Sequence, residues 1–230
     1  MPKFIVLTAK STCLENATQV VGVVADTGGM DLASDSLPPI DLVEIRLDLI
    51  ASEIPEIACP LIFTSRSSSE GGSGGSIEER LAQLREQLPR AAYLDLELAT
   101  LQESEEARQL AMEAQEAGVQ IIGSFHDFEK TPPREFLIAL KARAQQLPVN
   151  LLKVATRTDD LESLFALAEL QRSAVAPTAT MGMGTFGKSS RILLAQVGSQ
   201  LTYGYLNTPS APGQWPAADL REALQDDLPS

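Results

Sequence analysis

Cysteine, positive charge and long apolar runs are all scarce in this chain of 230 residues. Two cysteines, Cys13 and Cys59, are too few for a disulfide framework and lack metal-ligand spacing, so they read as reduced thiols. The formal net charge of −13 argues against a nucleic-acid partner or an anionic membrane surface, since both attract basic patches. It leaves room for an anionic small molecule, because a few arginines in a cleft can override the global field. No apolar run approaches the roughly 20 residues needed to span a membrane. The apolar part of residues 1–10 is too short for a typical signal peptide, so the cytoplasm is the expected compartment. Histidine occurs once, at His126.

What the chain does have is a regular alternation of strand-length apolar runs and helical segments. The pattern predicts strands at 4–9, 41–48, 60–66, 91–98, 119–126, 150–157, 174–180 and 200–205. Helical patterning covers 77–88, 102–117, 133–146, 159–172, 188–197 and 217–224. Eight strands alternating with helices predict an α/β fold, a (β/α)8 TIM barrel forming a single catalytic domain over residues 1–230. An open doubly wound sheet is the competing architecture, weakened because no Gly-rich phosphate fingerprint follows the first strand. Residues 67–76 have the most flexible composition in the chain and read as a mobile loop at one end of the sheet.

Side chains alternate across a strand, so residues two apart share a face. Val43, Ile45 and Leu47 then oppose Glu44, Arg46 and Asp48, and Leu94, Leu96 and Leu98 oppose Tyr93, Asp95 and Glu97. Leu152 and Val154 likewise oppose Lys153 and Ala155. The apolar sets must face the helices, which turns the charged sets into the barrel. Arg66 and His126 stand at the C-terminal ends of their strands, where active sites of this fold sit. Each has a purely structural explanation too. Glu44, Arg46 and Asp48 could form a self-satisfied ion-pair network, His126 a hydrogen-bonded core histidine, and Lys153 an ion pair with a barrel carboxylate. A lysine kept partly uncharged by burial and neighbouring cations is instead what Schiff-base chemistry requires.

Six pieces of sequence add a resemblance: 44–48 (EIRLD), Arg66 with 70–72 (EGG), 124–127 (SFHD), 153–155 (KVA), 183–191 (MGTFGKSSR) and 210–214 (SAPGQ). In this order, over nearly the whole chain, they resemble type I 3-dehydroquinate dehydratase, the Schiff-base-forming enzyme of the shikimate pathway. The resemblance implies a lyase that converts 3-dehydroquinate to 3-dehydroshikimate and water by syn elimination, without metal or cofactor. It makes Lys153 the imine-forming residue and His126 the group that removes the α proton and helps the hydroxyl leave. Glu70 would orient His126 from a loop that closes, although Asp95 or Glu97 could share that task. Arg191 and Arg66 would grip the carboxylate and nearby hydroxyls, with Glu44, Arg46, Ser210 and Gln214 completing the substrate contacts. The family's first-strand serine has no counterpart in residues 6–9, where Thr8 fits only if the register slips. A homodimer is the expected assembly.

Two other readings compete. One is another class I Schiff-base barrel such as an aldolase, weakened because no Gly-rich phosphate site follows the seventh or eighth strand. The other is an inactive barrel that binds a ligand or partner, which intact Lys153 and His126 argue against.

Overall fold

The computed structural model describes residues 18–26, 37–51, 53–173 and 176–226. Their strands are β1 Gln19–Val24, β2 Leu42–Arg46, β3 Leu61–Thr64, β4 Ala91–Glu97, β5 Gln120–Asp127, β6 Leu151–Arg157, β7 Thr178–Met183 and β8 Leu201–Tyr205, with a short β9 at Trp215–Pro216. They form one curled parallel sheet in the order β7-β6-β5-β4-β3-β2-β1-β8-β9. Helix α1 (Ile77–Glu86) follows β3, α2 (Leu98–Glu103) and α3 (Glu105–Glu116) follow β4, and α4 (Arg134–Ala144) follows β5. Next come α5 (Leu161–Arg172) after β6, α6 (Gly187–Gln196) after β7 and α7 (Ala217–Asp226) after β9. This is the (β/α)8 barrel that the alternation predicts.

The seam of the barrel lies between β7 and β8. The upper edge of β8 pairs with β9 instead, Gly204 opposite Trp215. At the lower end, the Gln200 amide donates to the Thr178 carbonyl at 2.9 Å and the Thr180 amide to Ser199 Oγ at 3.1 Å. Higher up, the Arg191 guanidinium enters the seam and bonds carbonyls on both sides, Gly182 of β7 and Tyr203 of β8.

The first strand is not where the pattern placed it. Residues 4–9 and Thr8 lie outside the described residues, and the run of valines at Gln19–Val24 holds the first barrel position, paired with β2 and β8. This strand is buried on both faces and lacks polar alternation, which is why a period-two search passes over it. Its Gly22 is packed so closely that a Cβ there would lie 2.8 Å from Ile40. The seventh strand begins at Thr178, four residues later than predicted, because Pro177 has no N–H for the ladder. The single helix expected over 102–117 is two: Ser104 adopts extended angles and accepts the Ala107 amide as the N-cap of α3.

Packing follows the alternation. Ile45, Phe63, Leu94 and Ile121 point outward onto Leu81, Leu84, Leu101 and Leu110, while Leu152 and Val154 meet Leu137, Leu140 and Leu167. Each such fully buried side chain contributes about 1.5–3 kcal/mol. Inside, Val21, Leu42, Ile62, Ile122, Leu151, Ala179 and Leu201 belong to an apolar cluster that fills the N-terminal half of the barrel. Polar side chains are thereby confined to the C-terminal half.

Candidate active site

Lys153 is in the middle of β6, 4% exposed. Its Nζ donates to Glu44 Oε1 at 3.2 Å and to Asp95 Oδ2 at 3.0 Å, and lies 4.1 Å from the centroid of the Tyr203 ring. The nearest charges are therefore carboxylates, not the cations expected from the sequence. Both carboxylates are held in place. Glu44 Oε1 accepts the Thr64 hydroxyl at 2.8 Å, and Asp95 accepts Ser124 Oγ at 2.5 Å and pairs with Arg66 Nη2 at 2.9 Å. Burial alone would raise Asp95, but Arg66 and Lys153 outweigh it and hold the carboxyl well below the usual range. Arg66 is fixed as a cation in turn: burial works against its charge, but Asp95, Glu70 and Glu97 more than compensate.

His126 stands on β5, where Ser124 is registered with Lys153 and His126 with the small Ala155. It is thus one inward position above Lys153 on the neighbouring strand. Glu70 Oε2 accepts the His126 backbone amide at 3.0 Å and lies 2.9 Å from ring Nδ1. Taking Nδ1 as the donor leaves Nε2 as the free base. Burial holds His126 well below its ordinary value, Arg66 and Lys153 adding to this against Asp95. Burial also pushes the Glu70 carboxyl up to about 8, with Glu97 and Asp95 assisting and Arg66 opposing. The histidine is therefore neutral at pH 7. The proton that the pair takes up below about 8 belongs on the Glu70 side.

Glu70 does not wait in an open loop. Residues 68–70 form a 3-10 turn whose Gly71 has φ +78°, and the Gly72 and Gly74 amides return to the Ser67 and Arg66 carbonyls at 2.8 and 2.9 Å. A Cβ at Gly72 would lie 2.2 Å from the Arg66 carbonyl oxygen. The glycines are there because the chain folds back against Arg66, and in the structure this segment is a hydrogen-bonded turn. Asp95 and Glu97 are engaged elsewhere. Glu97 accepts the Ser67 amide at 2.7 Å and pairs with Arg80 at 2.7 Å, which leaves Glu70 as the carboxylate at Nδ1.

Arg191 differs from the other cations. Its Nε donates to the Tyr203 carbonyl at 2.9 Å, and Nη1 to those of Gly182, Gly187 and Gly213 at 2.9, 2.6 and 3.2 Å. No carboxylate pairs with it among the described residues. Burial without an anion lowers its pKa to about 10, and a buried guanidinium in this state favours an anionic ligand. Arg46, by contrast, is bound to Asp48 through two bonds of 2.9 and 2.7 Å, as the structural reading of that strand anticipated. Glu44, the third member of that expected network, faces Lys153 instead. Ser210 and Gln214 lie in the loop after β8, where Gln214 Oε1 accepts the Ser210 amide at 2.9 Å. Gly213, at φ +72°, lets this loop rest on Gly184 and Gly187.

All nine candidate residues line one cavity: Lys153, His126, Glu70, Glu44, Arg46, Arg66, Arg191, Ser210 and Gln214. Val23, Phe128, Met181, Met183 and Ala211 add apolar lining to the same cavity. Val23 is what the first strand contributes. Tyr203 escaped the sequence reading although its inward position follows from β8 alternation. Its ring underlies Lys153, and its buried hydroxyl has no hydrogen-bond partner among the described residues. The Arg80–Glu97 pair was missed altogether, because Arg80 lies in a charged helix and looks like a surface residue.

Comparison with known proteins gives this geometry a context. The family model described as type I 3-dehydroquinase matches residues 26–227. A 3-dehydroquinate dehydratase of Methanocella arvoryzae is 31% identical over 213 residues, covering 88% of this chain and 95% of the relative. One from Klebsiella pneumoniae is 36% identical over 204 residues, covering 80% and 81%. Among solved structures, a type I 3-dehydroquinate dehydratase from Clostridium difficile with covalently modified comenic acid superimposes with a TM-score of 0.79 at 25% identity, covering 94% and 95%.

Proposed function

The chain belongs to the type I 3-dehydroquinase family, and from that premise we propose how the residues of its cavity carry the reaction. The enzyme is a hydro-lyase of the shikimate pathway that dehydrates 3-dehydroquinate. Family membership sets aside the aldolase and inactive-barrel readings.

In our proposal the substrate carboxylate sits on Arg191, the cavity guanidinium that among the described residues has carbonyls but no carboxylate around it. That places the ketone over Lys153. Nζ gives up its ammonium proton and adds to the carbonyl carbon, the carbonyl oxygen takes up a proton in exchange, and the resulting carbinolamine loses water to leave a protonated imine. The iminium is an electron sink, so the neighbouring C–H becomes acidic. His126 Nε2 takes that proton and the C–H electrons move toward nitrogen, giving a neutral enamine and an imidazolium stabilised by Glu70. The enamine then pushes out the β hydroxyl, which receives the same proton from His126 and departs as water. One residue serves both transfers, so proton and hydroxyl leave from one face, a syn elimination. Water adds to the product iminium, and collapse releases the enone ketone and restores Lys153.

Glu44 and Asp95 hold the lysine ahead of attack. We assign Arg66, Arg46, Ser210 and Gln214 to the substrate hydroxyls, with the loop at 210–214 covering them and keeping water out. One observation carries the reading: a single cavity holds a buried lysine, a neutral histidine backed by a carboxylate, and a guanidinium lacking an anion. We further propose a homodimer of single catalytic domains working in the cytoplasm. No helix among the described residues is long and apolar enough to cross a membrane, and light scattering tests the dimer.

Two variants test the roles. Lys153→Ala abolishes turnover and any covalent adduct. His126→Ala still forms the imine but eliminates slowly, by the roughly 10²–10⁴-fold that a general base supplies. Retained dehydration by either variant contradicts the assignment.

A further inference from the structure

The strand ends hold one buried ion pair that the catalytic sequence above does not use. Arg80 of α1 and Glu97 of β4 are 6% and 4% exposed, and Arg80 Nη1 donates to Glu97 Oε2 at 2.7 Å. Thr100 Oγ1 donates to the same oxygen at 2.8 Å. The other oxygen, Oε1, accepts the Ser67 backbone amide at 2.7 Å. Ser67 is the N-cap of the 3-10 turn that carries Glu70, and its carbonyl accepts the Glu70 and Gly72 amides at 3.2 and 2.8 Å. A continuous chain of short bonds thus runs from Arg80 through Glu97 and Ser67 to Glu70, and from Glu70 to His126.

A buried ion pair is a costly way to gain stability, since desolvation offsets most of the attraction. Held among fixed partners, it does define geometry. We propose that the Arg80–Glu97 pair is a positioning element for the catalytic base: through the Ser67 amide it sets the turn that holds Glu70 against His126 Nδ1. This rests on the reading of His126 as base and of Glu70 as its orienting group.

The charge of Glu97 has a second effect. Glu70 is faced by Arg66 at the end of β3, by Asp95 and Glu97 of β4, and by His126 of β5. Among these Glu97 is a like charge, so it favours the protonated form of the Glu70–His126 pair and strengthens the pair as a base. Replacing it with a neutral acceptor weakens the base and moves the pair's titration to lower pH.

Three variants test this. Glu97→Gln keeps an acceptor but removes the charge. Ser67→Pro deletes the N–H that Glu97 accepts at a residue whose φ of −71° suits proline, leaving the ion pair in place. Arg80→Lys keeps the charge and is the conservative control. With 3-dehydroquinate and borohydride, Glu97→Gln and Ser67→Pro are expected to trap the Lys153 adduct at the wild-type level, because its partners are untouched. Their kcat is expected to fall about 10- to 100-fold, the scale of a misplaced catalytic group. Glu97→Gln alone is expected to shift the acidic limb of the kcat profile to lower pH, and Arg80→Lys to recover most of kcat.

Normal trapping with unchanged kcat and an unchanged pH profile in Glu97→Gln and Ser67→Pro overturns the proposal. So does a parallel loss of trapping and kcat, which marks the pair as merely structural. If the wild-type enzyme itself traps nothing at Lys153, the underlying imine reading fails first.

Discussion

At the scale of single residues, each ionisable group in the cavity is defined by what it touches. Among the described residues Lys153 has two carboxylates, Arg66 has Asp95, Arg46 has Asp48, and Arg191 has backbone oxygens alone. His126 and Glu70 share a proton site, which leads to a pH prediction. Burial pushes Glu70 up to about 8 while it holds His126 well below the ordinary histidine value. Below about 8 the pair carries the extra proton, and Nδ1 can no longer be the donor that leaves Nε2 free. Turnover is therefore expected to rise with pH through about 8 and to be lost as pH falls through that value. A kcat profile measured in buffers of constant ionic strength checks this. A flat profile across that region contradicts the Glu70–His126 assignment.

At the scale of elements, the decisive piece is the turn after β3. Its composition is rich in glycine, and each glycine there has a neighbour where a Cβ would go, 2.2 Å at Gly72 and 2.6 Å at Gly74, both from the Arg66 carbonyl oxygen. Gly72→Ala is expected to cost stability on the order of 1–3 kcal/mol and to lower kcat at least tenfold, since the turn must shift and takes Glu70 with it. Gly118 is the matched control. It caps α3 at φ +84° with open space around it, so Gly118→Ala costs about 1–2 kcal/mol through backbone strain and leaves kcat unchanged. Thermal melts and initial rates on both variants separate the two cases. Equal kcat losses would contradict the packed-turn account.

This element also marks the limit of what the sequence discloses. Alternation along β2, β4 and β6 placed Glu44, Asp95 and Lys153 inside correctly, because period two is a local property. The residues contacting Nζ depend on strand register, which no local pattern encodes. The inward-turned Arg80 was invisible for the same reason, while β1 was missed because a strand buried on both faces has no alternation to read.

At the scale of the whole molecule, the barrel and the site share a fastener. Arg191 bonds the Gly182 carbonyl of β7, the Tyr203 carbonyl of β8 and the Gly213 carbonyl of the covering loop. The lysine ammonium is a single point with three donors and cannot span these positions. Arg191→Lys is therefore expected to raise KM at least tenfold and to lower Tm as well, because the seam loses its bridge as the substrate loses its anchor. A higher KM at unchanged Tm would mean that the seam does not depend on this residue.

The central claim concerns Lys153 itself, and one measurement reaches it without inference. The enzyme is mixed with 3-dehydroquinate, reduced with borohydride, digested and mapped by mass spectrometry. A covalent adduct on Lys153, absent without substrate, is the result expected. No adduct, or an adduct at any other lysine, would contradict the account.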